Sequence, residues 1–399
     1  MFKSRQFIIG IIISIIFFAL ALIDIKLDQV WAAFTRANYL ALVPALALYF
    51  IGVWIRAIRW RILLRPILPD QKVSLLRTFE VVVIGYMGNN VLPARIGELV
   101  RAYVISLREK VRKTATLATI LVERIFDGLT MIGFAAVAVL FVILLDSDAL
   151  MTGADHKLGT LIRDLSLPIM IFAGVFLGAL VVFLVIASSP TLMKRIVGFA
   201  FRFLPRRLHQ RADRLLDSFI EGLASLRSPS NMAAVFGLSI AAWLFETGMY
   251  FVIGNWGFDL RGIDGQLLPF YVYLLATAAV NLGTLIPQAP GYAGVFEAIA
   301  KAVLVGGFGV NENASLSYVL VLHATLLIPV TLLGFYYMAH QSISYRQLVQ
   351  LEQTRAQASE QAHELEGPLT DIELVQEGKI TEGDSSAETR LEQAGEGGK

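Results

Sequence analysis

The sequence predicts an all-α protein: a polytopic transmembrane helical bundle of six to eight spans, with one or two re-entrant helical hairpins. Three observations predict it. Apolar residues make up 56% of the 399 residues, above the roughly 45–50% of an average soluble domain. Charged residues are 17% of the chain, and they fall in clusters. Apolar runs of about 17–25 residues recur, each long enough to cross about 30 Å of hydrocarbon as a helix.

The first run is Phe7–Ile23. Lys3 and Arg5 precede it, Asp24 follows directly, and no small-x-small cleavage pattern appears. It therefore reads as an uncleaved span rather than a signal peptide. The second run is Tyr39–Ile55, followed by the basic segment Arg56, Arg59, Arg61, Arg65, Lys72, Arg77. A second basic segment, Arg101, Arg108, Lys110, Arg112, Lys113, comes after the short apolar run Phe79–Leu92. Positive residues favour the cytoplasmic face. With both segments there, Phe79–Leu92 must dip in and return, since about 14 residues are too few to cross.

Leu117–Leu145 and Leu167–Ala187 flank an acidic loop, Asp146–Asp164, placed outside; the basic Lys194–Arg214 is placed inside. The later runs are Ala233–Trp256, Leu267–Pro287, Gly291–Phe308 and Ser315–Met338. Eight spans put both termini in the cytoplasm. So do six, if Leu267–Phe308 is a second re-entrant hairpin. Met193–Arg214 alternates basic and apolar residues. It is either an amphipathic segment on the inner leaflet, within about residues 190–230, or a plain basic loop.

From Gln341 onward the chain holds 5 basic and 12 acidic residues, against 29 and 20 before it. Residues 1–340 therefore form a basic membrane domain, as expected beside anionic lipid. Residues 341–399 form an acidic, largely disordered cytoplasmic tail, with Tyr345–Glu366 as a marginal polar helix. Cysteine is absent, so there is no thiolate nucleophile and no Cys-based metal site. No P-loop, dinucleotide fingerprint, H-E-x-x-H or G-x-S-x-G pattern occurs. No catalytic set, metal, cofactor or nucleic-acid partner is expected. With no hydrophilic segment longer than about 60 residues, there is no room for an ATP motor or a transferase domain.

Four segments carry polar chemistry. In Asn89-Asn90-Val91-Leu92-Pro93-Ala94-Arg95-Ile96-Gly97-Glu98, Pro93 suits a helix start. Arg95, Glu98 and Arg101 then lie on one side of that helix. Its unpaired N–H groups face Asn89 and Asn90, an arrangement that suits phosphate. Alternatively the segment is a solvated loop. In Glu123-Arg124-Ile125-Phe126-Asp127, Arg124 reaches Asp127 at i+3. That set is either an anchoring ion pair at the cytoplasmic edge or part of a site. Glu246 sits mid-span, where an ionised acid costs about 2.5–3.5 kcal/mol, so it must be paired, protonated or beside a wet cavity. His323 is the other mid-span titratable group. It is either a helix–helix hydrogen-bonding residue or a proton carrier. In Pro287–Glu297, Pro290 again fits a helix start, Gly291 and Gly294 allow close backbone approach, and Glu297 follows one turn on.

The first and last of these segments echo each other. Each has Pro, then Gly four residues on, then Glu. Corresponding breaks in two halves of a membrane protein point to an inverted pseudo-repeat around a central site; the alternative is chance similarity.

At Gly88–Arg101, Ala118–Asp127 and Pro287–Glu297 the sequence resembles the lysylphosphatidylglycerol synthase transmembrane-region family of flippase-like membrane proteins, over about residues 5–340. Its pattern commonly has Arg where this chain has His323. The resemblance implies movement of a polar-headed lipid between leaflets, by a stand-alone member without the fused synthetase. In that reading Arg95, Arg101 and the helix start at Pro93 hold a head-group phosphate. Glu98, Glu123, Asp127 and Glu297 balance the arginines or contact a cationic head. Arg124, Pro290, Gly291 and Gly294 complete the pocket, Asn89 and Asn90 line the break, and Glu246 and His323 couple protons. The expected partners are an anionic phospholipid or polyprenyl-phosphate lipid and a lipid-modifying enzyme; the expected location is the cytoplasmic membrane. The alternative is a non-transporting accessory subunit that presents lipid to a glycosyltransferase or other lipid-modifying enzyme.

Overall fold

The computed structural model describes residues 5–68, 73–92, 96–145, 219–284 and 289–340, together with 178, 189, 191–192, 194–195 and 217. The Leu167–Ala187 span (apart from one residue), most of Met193–Arg214, and the tail from Gln341 lie outside them. Among the described residues the protein is helical throughout, with one isolated bridge between Arg261 and Leu267.

Ten α-helices are described: α1 (Arg5–Ala21), α2 (Leu27–Arg36), α3 (Leu42–Leu64), α4 (Leu75–Val91), α5 (Gly97–Glu109), α6 (Lys113–Leu145), α7 (Pro229–Phe251), α8 (Phe270–Gly283), α9 (Val295–Lys301) and α10 (Glu312–His340). Among the described residues four stretches are long and apolar enough to cross a membrane: Tyr39–Ile67, Lys113–Val142, Pro229–Gly257 and Glu312–His340. They contain α3, α6, α7 and α10. In α7 the last turn widens into a π-helix, Val252–Gly257.

The second span is where the sequence reading needs correction. It ends not at Ile55 but nine residues later, so Arg56 and Arg59 are inside the helix and not on its cytoplasmic flank. They are 4% and 0% exposed. Two charges interrupt the apolar run, yet the helix continues because carboxylates on α6 and α7 neutralise them.

The helices α4 and α5 form an antiparallel hairpin. Its open end is tied by Arg77–Glu109 and Arg108–Glu80, each at 3.4 Å. Near its tip the backbones nearly touch: a Cβ on Gly97 would lie 1.9 Å from the Gly85 carbonyl oxygen. Small residues permit such close approach between membrane helices. At 1.5 Å per residue the arms are roughly 26 and 20 Å long, short of the ~30 Å core. The re-entrant reading of Phe79–Leu92 holds, with four more residues at its start. The second helix of this hairpin begins at Gly97 rather than Pro93. Pro93 and Arg95 themselves lie outside the described residues.

A second hairpin is built from α8 and α9, the latter extended by a π-helix, Ala302–Gly307. Here Ile299 of α9 fills the space beside Gly283 of α8. Pro290 opens only a single 3₁₀ turn, Pro290–Tyr292. The following α-helix waits until Val295, because Gly291 and Gly294 adopt φ values of +71° and +89° that no regular right-handed helix accommodates. A 14-residue α8 spans roughly 21 Å and turns back within the bundle. Leu267–Phe308 thus folds back as a hairpin of two short arms, the alternative under which the sequence counts six spans.

The two hairpins enter from opposite ends. The tip of α4–α5 abuts α10 deep in the bundle, where the Asn90 amide donates to Thr331 at 2.9 Å. The tip of α8–α9 abuts α1, where the Ala289 N–H donates to the Ser14 hydroxyl at 2.9 Å. The tips meet: the Asn90 carbonyl is the nearest atom to a Cβ placed on Gly291, at 3.5 Å.

The helix α2 was not anticipated. Leu27, Val30, Trp31 and Phe34 repeat at helical spacing; Val30 is buried, while Leu27 and Trp31 are 75% and 70% exposed. It is anchored to the start of α10, where Asn313 donates to Gln29 at 2.7 Å.

Candidate functional site

Each of the four long helices carries ionisable residues within about a turn of its midpoint: Arg56 on α3, Arg124 and Asp127 on α6, Glu246 on α7 and His323 on α10. All five line one cavity of about 330 Å³. Asn89, Asn90 and Glu98 close it from the α4–α5 tip, and Asn281, Thr284 and Tyr292 from the α8–α9 tip.

The charges form one connected set. Arg56 pairs with Glu246 at 2.7 Å and lies over the Trp243 ring, 4.3 Å from its centroid. The Trp243 indole N–H donates to Asp127 at 2.9 Å. Asp127 also receives Arg59 and, at 3.3 Å, Arg124. Arg59 reaches on to Glu123 at 3.4 Å, and Glu123 pairs with Arg101 at 2.9 Å. Arg124 completes the chain with Glu98 at 3.5 Å. Four arginines and four carboxylates, among the described residues, therefore cancel. A buried charge survives at membrane depth only when paired in this way.

This geometry relocates several predicted residues. Glu123 and Asp127 are not at the helix edge; they are 1% and 5% exposed, inside the charged set. Arg101 does not face the cavity. It is 3% exposed and stacked 4.1 Å over Trp60, where it holds Glu123 from behind. Arg124 and Glu98 keep side chains 34% and 27% exposed, so this pair marks the mouth.

The His323–Glu297 pair stands on the opposite wall. Glu297 is itself just behind the lining. One carboxylate oxygen accepts the Gly294 N–H at 2.7 Å and so caps α9, while the other receives His323 Nδ1. His323 stacks on Phe296, 4.2 Å between ring centroids, and its Nε2 has no partner. Tyr250, also on the wall, has an unpartnered buried hydroxyl.

The sequence reading missed Arg56, Arg59, Trp243, Tyr250 and Asn281. The signal for Arg56 was present: an arginine abutting an apolar run, with Glu246 unpaired elsewhere. Aromatic residues in a span carry no such signal, since most of them only pack.

The comparison with known sequences bears on this geometry directly. The profile of the lysylphosphatidylglycerol synthase TM region family matches residues 7–334.

The chain belongs to that family.

Two curated proteins are similar to this chain. A protein named Glycosyltransferase AglD, from Haloferax volcanii, is 26% identical over 325 residues, covering 79% of this chain and 51% of the relative. The chain thus spans about half that relative's length. A "UPF0104 membrane protein" from Methanothermobacter thermautotrophicus is 25% identical over 313 residues, covering 76% of this chain and 86% of the relative. The matched region takes in both hairpins and every helix that lines the cavity. This chain is accordingly a multi-pass membrane protein of the lysylphosphatidylglycerol synthase TM region family.

Proposed function

We propose that the protein seats the polar head of a phospholipid or polyprenyl-phosphate lipid in this cavity and passes it between leaflets. One observation carries the reading: a charged cavity at the midpoint of four long helices, closed by two short hairpins that enter from opposite ends. A head group needs such a polar stopping place halfway across, and two opposed tips supply one barrier towards each side. The phosphate role read for Arg101 passes to Arg56 and Arg124, the two arginines of the lining, while Arg95 lies outside the described residues. Arg101 and Glu123 hold Arg59, whose partner Asp127 also takes Arg124. Glu246 and His323 are the residues for proton coupling.

The same reading places the protein in the cytoplasmic membrane. The end of the bundle bearing Arg61, Arg65, Arg77, Arg108, Lys110 and Lys113 faces the cytoplasm. Residues 1–340 act as the membrane domain, with an acidic cytoplasmic tail beyond.

The test is a liposome assay with fluorescent phospholipid and an added membrane-impermeant quencher. The protein should expose inner-leaflet label, and Arg56→Gln and Arg124→Gln, if they fold, should slow that exposure. An unchanged rate with and without protein sinks translocation. A second reading has support in the Haloferax relative's name: the membrane region would present lipid to a glycosyltransferase. Binding without transfer, together with co-purification of one such enzyme, would favour it.

A further inference from the structure

The helix α2 takes no part in the central cavity, and its two sides differ. Leu27 and Trp31, one turn apart, form an exposed apolar edge. Gln29, Ala32, Ala33 and Arg36 form the other side and line a cleft of about 720 Å³ with Asn38, Trp256 and the start of α10. Between the two sides Val30 is buried, and its carbonyl accepts the Ser317 hydroxyl of α10 at 3.3 Å. The Asn313 side chain of α10 accepts the Lys26 N–H at 2.8 Å as well as donating to Gln29. The helix is thus held in one rotation, with Leu27 and Trp31 turned away from the protein.

Its surroundings decide what covers that edge. Residues 22–26 join α2 to the apolar α1, and residues 37–38 join it to the turn that opens the membrane-crossing α3. Such short connections keep it at the membrane surface. Exposed apolar residues continue on either side of it, Leu22 and Ile23 before and Leu40 and Val43 after. A protein partner seated on α2 alone would leave those flanking residues unexplained; the lipid around α1 and α3 accounts for all of them. Tyr39 reaches back to α2, its hydroxyl donating to the Phe34 carbonyl at 2.9 Å. Trp31, Tyr39 and Trp256 are all exposed at this end, opposite the end that bears Arg61 and Arg65. Exposed Trp and Tyr collect where head groups meet acyl chains.

We propose that α2 is an interfacial helix, with its Leu27–Trp31 edge seated in the lipid leaflet at the end of the bundle opposite Arg61 and Arg65. An amphipathic helix with Leu and Trp on one side settles about 5–10 Å into the boundary between head groups and acyl chains. The Gln29–Arg36 side faces the water of the cleft. Because Asn313 and Ser317 tie α2 to α10, the leaflet then sets the level of the helix that carries His323. This inference stands apart from translocation and needs no particular head group.

The chain has no cysteine, so single replacements test the placement. Full-length Leu27→Cys, Trp31→Cys and Arg36→Cys are each labelled with an environment-sensitive fluorophore and reconstituted in phosphatidylcholine–phosphatidylglycerol liposomes. Ile328→Cys, at an exposed position near the middle of α10, serves as the deep reference. Three quenchers are compared: a phospholipid nitroxide near the head group, one near the bilayer centre, and iodide on both sides. At positions 27 and 31 the shallow nitroxide should quench about twofold more than the deep one, as a depth of about 5–10 Å requires, with iodide weak. At position 36 iodide should dominate, and at 328 the deep nitroxide. Iodide quenching at 27 and 31 that matches position 36 would place the edge in water and overturn the inference. So would deep quenching equal to or above shallow. Shielding of both labels from all three quenchers, as a second copy or a partner protein would produce, overturns it too.

Discussion

Arg56 of α3 and Glu246 of α7 face each other at 2.7 Å, each less than a tenth exposed and each about a turn from the midpoint of its helix. Removing one partner strands the other in a low-dielectric interior. Either Arg56→Met or Glu246→Leu should destabilise by about 3–5 kcal/mol. The double variant should regain most of that loss, because a well-packed apolar pair is tolerated there. Thermal unfolding of the four proteins in one detergent checks this, and additive losses would show that the two residues act independently.

The α4–α5 hairpin depends on a missing side chain. A Cβ at Gly97 would fall within 1.9 to 2.6 Å of backbone and side-chain atoms of Gly85 and Asn89, and backbone cannot step aside. Gly97→Ala should cost at least about 1–3 kcal/mol. Gly133 of α6 has nothing within 4 Å of the same position. Gly133→Ala should therefore be neutral or stabilising, by up to about 1 kcal/mol from helix propensity. Equal melting temperatures for the two variants would dismiss the close packing.

Glu297 holds two donors from different elements, the Gly294 N–H of the tip and His323 Nδ1 of α10. In Glu297→Ala both lose their acceptor, at about 1–3 kcal/mol each where they stay buried. Amide hydrogen exchange should quicken across residues 289–301 while α3 and α7 keep their protection. Uniform quickening over the whole chain would point instead to general loss of fold.

The natural sequence has no cysteine, so single replacements report topology without background. Arg65, exposed at the end of α3, and Ile263, 64% exposed beyond α7, stand at opposite ends of the bundle. Arg65→Cys should react with a membrane-impermeant thiol reagent only from the cytoplasmic face, and Ile263→Cys only from the other. Labelling of both from one face would refute the orientation.

Much of this architecture is legible in the sequence. Long apolar runs identify α6, α7 and α10 almost to their ends, because burial in lipid selects composition directly. The short run at Phe79–Leu92 announced a hairpin, since length alone forbids crossing. Leu267–Phe308 leaves two spans and a second hairpin both open, because each of its arms continues apolar residues past the point where the helix stops. Only the positive φ angles at Gly291 and Gly294 reveal the turn. For the site, Asn89, Asn90, Glu98, Arg124, Asp127, Glu246 and His323 were all singled out, and the cavity gathers them. In the sequence Arg56 and Arg59 read as flanking charges. Spacing along one helix cannot show that Glu246, 190 positions away, supplies the counter-charge. Arg101 looked like a ligand for the opposite reason: its stacking on Trp60 and pairing with Glu123 are tertiary facts with no local trace.

The cancellation of four arginines by four carboxylates has an electrical consequence. An elementary charge moved fully across a membrane does work of about 2.3 kcal/mol per 100 mV. A rigid shift of the paired cluster carries no net charge through that field and so does almost none. Any voltage sensitivity of this cluster must then enter with the molecule it carries, or with a proton on Glu246 or His323, and not with its paired arginines.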